Sequence, residues 1–182
     1  MVAPWSVVSR EVALQLRIFD VCRDTLVSPV DGRTHVFAAL DVPDWVNVLA
    51  ETDDGRWVMV RQWRVGTRTT TLEIPGGMVD PGEAPLAAAQ RELREETGYA
   101  ADTWQALGAI EPNPAFQNNR CHTFLARGAR PVGAQAPDEH EDLEVVLVAK
   151  ADVDGLILDG AITHVLVAHA FHLLDLHARR GG

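Results

Sequence analysis

The stretch from Gly77 to Tyr99, GMVDPGEAPLAAAQRELREETGY, constrains this chain more than any other. A glycine-rich turn opens it, and Pro85 stands where a helix tolerates proline, in a first turn whose N–H groups lack intrahelical acceptors. Gly98 stands where helices commonly end in a left-handed residue. Between them, Glu92, Glu95 and Glu96 fall within two turns. Like charges at this spacing weaken an isolated helix by about 0.2–0.5 kcal/mol per pair, so a helix that only had to fold would alternate their sign. Converging carboxylates suit a hard divalent cation with oxygen ligands. On a helical wheel Leu86, Ala89, Gln90, Leu93 and Thr97 share one side, predicted to pack on a sheet, with Glu92 and Glu96 at its border.

Most of the remaining chain reads as strands. Residues 5–28 mix β-branched residues with alternating polarity, predicting two or three strands joined by tight bends. PVDGR at 29–33 is a turn, and 35–40 is a further strand. Residues 45–51 and 57–63 flank Asp53-Asp54-Gly55 as a hairpin. A strand over 69–74 then runs into Pro75-Gly76-Gly77, where two glycines let the backbone approach a ligand closely. Strands are predicted over 104–111, 120–126 and 143–150, and a long loop over 128–142 ends in Asp138-Glu139-His140-Glu141-Asp142. A closing helix spans about 161–179, with Val165, Leu166, Ala168, His169, Leu173 and Leu176 inward. Many strands with two marked helices predict a mixed α/β (α+β) architecture. Residues 1–42 read as a small N-terminal antiparallel sheet and 43–182 as the main domain.

Composition narrows the function. Sixteen Lys and Arg against 26 Asp and Glu give a net charge of -10, which disfavours nucleic acid as a bulk partner. A small anionic substrate remains compatible if a metal supplies local positive charge. Cys22 and Cys121 are far apart and read as reduced, packed thiols. No apolar run approaches the ~20 residues that span a bilayer, and no signal pattern opens the chain, so a cytoplasmic protein is expected.

The pattern of Gly77, Glu83, Arg91, Glu92, Leu93, Glu95, Glu96, Gly98 and Tyr99 matches the signature of the Nudix hydrolases. Tyr99 is the one mild departure, at a position more often aliphatic. The segments 60–64 (VRQWR) and 72–77 (LEIPGG), the acidic loop and the N-terminal strands resemble the branch that hydrolyses ADP-ribose and other nucleoside diphosphate sugars. So does Asn113-Pro114 with the segment Asn118 to His122. The resemblance implies a Nudix α/β/α sandwich and a homodimer in which the N-terminal strands are swapped. It also implies Mg²⁺, with Mn²⁺ as a substitute. A Nudix hydrolase of nucleoside triphosphates or dinucleoside polyphosphates, and a non-catalytic module that binds ADP-ribose, are the alternatives.

By the same resemblance, Glu92 and Glu96 ligate the metal with the Gly77 carbonyl, and the catalytic Glu95 is a further ligand or binds through water. The late acidic loop brings a base, Glu139, and a further ligand, Glu141; the reverse assignment of these two stays open. Arg91 orients the carboxylates, and Glu83 joins an outer network or a second metal. Arg61 and Arg64 are candidates for the pyrophosphate or terminal ribose, because guanidinium forks match phosphate oxygens. Glu73 either hydrogen-bonds a ribose hydroxyl or holds the glycine turn. Trp63 or Phe19 either stacks on the base or packs in the core. His122, His164, His169, His172 and His177 read as packing or surface residues.

Overall fold

A computed structural model describes residues 2–136 and 142–181. The chain forms two compact units, Met1–Pro43 with Glu111–Arg120, and Asp44–Ile110 with Cys121–Gly182. In the first unit β1 (Ser6–Gln15), β2 (Asp20–Val27) and β3 (Thr34–Asp41) make an antiparallel sheet in that order. Segment 111–120 belongs with it: Asn118 accepts the Val42 N–H at 2.9 Å, and Asn119 donates to the Pro43 carbonyl at 3.1 Å. The backbone ties it too, since Leu40 N–H donates to the Phe116 carbonyl at 2.7 Å; contacts between residues so distant in sequence leave no local pattern.

The second unit is built on a mixed seven-stranded sheet. Its strands are β4 (Trp45–Thr52), β5 (Arg56–Arg64), β6 (Thr69–Glu73), β7 (Tyr99–Ala100), β8 (Thr103–Ile110), β9 (Cys121–Pro131) and β10 (Leu143–Ala149). The path β10-β5-β4-β9-β7 carries β6 on β5 and β8 on β9, and β4 and β9 run parallel. Alternation sorts the side chains into two cores, as a period of two requires. Val46, Val48, Ala50, Val58, Phe124 and Ala126 pack under the helix α1 (Pro85–Thr97). Leu49, Trp57, Met59, Leu72, Ile74 and Leu125 pack on the other face against α2 (Val153–Leu158) and α3 (Val165–Arg179). The second unit is the expected α/β/α sandwich, and the first is a small antiparallel sheet.

Three expectations need correction. The buried stripe of α1 is Ala88, Ala89, Glu92, Leu93, Glu96 and Thr97, whereas Leu86 and Gln90 are exposed. Two small alanines let the helix lie close to the sheet, and partners for both carboxylates let them turn inward. The closing helix starts only at Val165, because His164 accepts the Leu166 N–H as its N-cap at 3.2 Å. Leu166, Val167 and Ala170 are its buried residues, leaving Val165 and Leu176 exposed. Lastly, β9 runs on to Pro131 by pairing with β7, so the loop expected from 128 begins later.

Candidate functional site

The site grows from the chain that follows β6. Residues 75–79 lie beside the first half of β4, where the Pro75 carbonyl accepts from Val48 N–H at 2.8 Å. The Gly77 carbonyl accepts from Val46 N–H at 2.9 Å, and Val79 N–H donates to Asp44 at 2.8 Å. Glycine is required twice by close approach. A Cβ at Gly76 would stand 2.1 Å from the Val46 carbonyl oxygen, and one at Gly77 would stand 2.4 Å from Glu92 Oε1. The turn is therefore pressed between a strand and the carboxylates of α1.

Helix α1 supplies those carboxylates because residues four apart share a face. Glu92 and Glu96 are buried, and Glu96 Oε2 accepts the Gly76 N–H at 2.9 Å. Glu95 is half-buried. Arg91 ties the group together: Nη1 donates to Glu92 at 2.8 Å and to Glu95 at 3.1 Å. Its Nε and Nη2 take both oxygens of Glu83, at 3.0 and 2.9 Å, while Nη2 also reaches the Met78 carbonyl at 2.9 Å. The hydrogen bonds to Glu83 raise the guanidinium above its already high range, and the same bonds hold the Glu83 carboxyl below the usual one. Gly98 ends the helix at φ 73° with its N–H on the Arg94 carbonyl.

Among the described residues, no three acidic, histidine or cysteine side chains converge as a ready-made metal cage. The donor set nevertheless suits a magnesium-like ion. Glu92 and Glu96 are all-oxygen donors facing a turn whose missing Cβ leaves the Glu92 carboxylate room, and Mg²⁺ needs few protein ligands because it keeps waters and binds phosphate. The Gly77 carbonyl already accepts from Val46, which leaves one of its two lone pairs.

The other sequence candidates divide by strand parity. Arg64 sits on the α1 face of β5, forking onto Glu73 at 2.8 and 2.7 Å. Glu73 is 3% exposed and accepts a further bond from the Thr71 hydroxyl at 2.5 Å. Burial alone would raise its pKa, but the Arg64 hydrogen bonds and charge, with Thr71, hold it below the ordinary value. Arg61 has the opposite parity: it pairs in register with Leu72 of the α3-side core and bonds Glu144 at 2.5 Å. A period of two places it on the opposite face of β5 from Arg64.

Trp63 is 57% exposed and outside the core. His122 is half-buried and paired with Asp44 at 2.8 Å. His177 bonds the Leu107 carbonyl at 2.7 Å, and burial pushes the His164 and His169 imidazoles below their ordinary range. Cys22 and Cys121 are buried and free, and burial pushes the Cys121 thiol up to about 12.

Glu139 and Glu141 lie outside the described residues. The chain leading to them is anchored on α1, which no sequence pattern announced. Ala136 N–H donates to the Glu95 carbonyl at 2.8 Å, and Gln135 Nε2 donates to the Glu96 carbonyl at 2.6 Å and the Leu143 carbonyl at 3.3 Å. Asn47 was likewise missed. Its amide donates to the Leu166 carbonyl at 3.2 Å, and its Oδ1 lies 3.0 Å from where a Gly76 Cβ would be.

Comparison with known proteins gives the same answer as the geometry. The NUDIX domain family matches residues 43–167. An ADP-ribose pyrophosphatase of Bacillus subtilis (strain 168) is 31% identical over 170 residues, covering 93% of this chain and 91% of that protein. An ADP-ribose pyrophosphatase of Mycobacterium tuberculosis (strain ATCC 25618 / H37Rv) is 36% identical over 133 residues, 69% and 64% of the two chains. A crystal structure of an ADP compounds hydrolase shares the fold, with a TM-score of 0.86 at 24% identity over 100% of this chain and 98% of the other. The chain belongs to the Nudix family.

Proposed function

We propose that this protein hydrolyses the pyrophosphate bond of nucleoside diphosphate sugars, ADP-ribose foremost, releasing a nucleoside monophosphate and a sugar phosphate. The carrying observation is the buried pair Glu92 and Glu96, held against the Gly76-Gly77 turn by Arg91 and the Gly76 amide. The activities of the two bacterial relatives support the substrate.

Glu92 and Glu96 would hold Mg²⁺, or Mn²⁺ in its place, with the remaining lone pair of the Gly77 carbonyl and with Glu141. When bound, the cation neutralises the pyrophosphate and polarises it towards attack by water. Arg91 fixes the rotamers of Glu92 and Glu95 through one shared nitrogen, and Glu83 fixes Arg91 in turn. Glu95 takes part directly or through water. Arg61 or Arg64 meets the pyrophosphate or the terminal ribose, and Glu73 holds Arg64. Glu139 takes the proton from the attacking water.

The molecule is proposed to be a cytoplasmic homodimer, with residues 1–42 exchanged between copies. Val7, Val8, Val12 and Leu14 of β1 are all more than half exposed, which supports a covering partner copy. Among the described residues no helix is long and apolar enough to cross a membrane.

A panel of ADP-ribose, ADP-glucose, deoxynucleoside triphosphates and dinucleoside polyphosphates, with products identified by anion-exchange chromatography, tests the proposal. AMP and ribose 5-phosphate from ADP-ribose are expected. Preferential turnover of deoxynucleoside triphosphates would overturn it.

A further inference from the structure

The last turn of α1 carries Glu95 and Glu96, and the last carbonyls of a helix have no partner within it. The Arg94 carbonyl accepts the Gly98 N–H. The next two are taken by residues far along the chain. Ala136 N–H donates to the Glu95 carbonyl at 2.8 Å, and Gln135 Nε2 donates to the Glu96 carbonyl at 2.6 Å. The same segment lies close against the helix end: Val132 N–H donates to the Gly98 carbonyl at 2.8 Å, and a Cβ at Gly98 would stand 2.4 Å from the Gly133 carbonyl oxygen. Gly98 is therefore required twice, by its φ of 73° and by the approach of this segment.

Gln135 reaches a second element as well. Its Nε2 also donates to the carbonyl of Leu143, the first residue of β10, at 3.3 Å. An amide nitrogen carries two N–H groups, one for each carbonyl. Leu143 pairs in turn with Gln62 of β5, the neighbour of Arg61. One side chain thus joins the helix of the metal carboxylates to the strand that follows the acidic stretch in sequence. Gln135 is exposed, so core packing does not place it; its hydrogen bonds do. A carboxylate here would face two carbonyl oxygens and the negative end of the helix dipole, which explains an amide beside so acidic a stretch.

We propose that Gln135 is a positioning residue for the hydrolysis, fixing the chain on both sides of Glu139 to the end of α1 that bears Glu95 and Glu96. This rests on the reading of Glu139 as the base. With the amide removed, the base is held less well and kcat falls, whereas binding of ADP-ribose, which uses other groups, changes little.

Steady-state kinetics on ADP-ribose at saturating Mg²⁺ compare Gln135→Met, which keeps the length and loses both donors, with Gln135→Lys, which keeps the reach and the donors. Gln135→Met should lower kcat by about tenfold to a hundredfold, since misplacing a catalytic group by an ångström costs about that much. Its KM should stay within about twofold and its melting temperature within about 4 °C of wild type, as loss of exposed hydrogen bonds implies. Gln135→Lys should recover most of kcat. In a Glu139→Gln background, Gln135→Met should cost less than about twofold more, because the group it positions is already gone. A Gln135→Met kcat equal to that of wild type, or an equal loss in both backgrounds, would overturn the positioning role. Glu139→Gln turning over at the wild-type rate, or wild-type protein inactive on ADP-ribose, would instead overturn the reading on which that role rests, and the role with it.

Discussion

The Gly76 amide donates to Glu96 Oε2 at 2.9 Å, joining the turn after β6 to the last turn of α1 across 20 residues. Through that bond the backbone positions a buried carboxylate, and the carboxylate fixes the backbone. The two glycines of the turn then have different duties.

Gly76→Ala would drive a methyl group to 2.1 Å from the Val46 carbonyl, an atom of the central strand that cannot step aside. A stability loss of about 1–3 kcal/mol is expected, together with loss of activity. Gly77→Ala meets the end of the Glu92 side chain, at 2.4 Å from Oε1, which can rotate. It should unfold within about 1 kcal/mol of wild type yet lose metal-dependent turnover. Urea unfolding beside activity separates the two; equal stability losses would contradict the assignment.

The Arg64–Glu73 pair should stabilise the fold. Breaking a fully buried pair costs about 3–5 kcal/mol. Arg64 is 43% exposed, and solvent screening reduces the expected cost of Arg64→Ala to about 1–2 kcal/mol. Glu73 has its carboxyl held below the ordinary value of 4.5, so its contribution is present above that value and is lost as pH falls further, through the folded-state pKa. Unfolding curves of wild type and Glu73→Gln should therefore converge as pH falls through the folded-state pKa of Glu73. A gap between them that does not narrow would remove the ion pair as its source.

Glu139→Gln should depress kcat far more than KM, by about 10²–10⁴-fold, the usual range for loss of a general base. Glu141→Gln should raise the Mg²⁺ concentration needed for half-maximal rate. The opposite pattern would exchange the two roles.

The strands were legible because alternation of apolar and polar residues is a local property of the chain. The signature of α1 was legible for the same reason: its capping residues and carboxylates are all near one another in sequence. What escaped was set by tertiary partners. Glu92 and Glu96 turn inward because Arg91 and the Gly76 amide receive them, which rotates the buried stripe away from Leu86 and Gln90. Segment 111–120 joins the N-terminal unit through Asn118 and Asn119, which no periodicity marks.

The central claim is that buried Glu92 and Glu96 make this chain a metal-dependent hydrolase of ADP-ribose. The most direct measurement is the initial rate of AMP release from ADP-ribose across a Mg²⁺ titration, for wild type and Glu96→Gln. Wild type should be inactive in EDTA and saturate with Mg²⁺. Glu96→Gln, with unchanged circular dichroism, should be slower by about two orders of magnitude or more, since even groups that only support metal ligands cost 10–100-fold. Tight ADP-ribose binding without turnover at millimolar Mg²⁺, or near-normal rates in Glu96→Gln, would contradict the account.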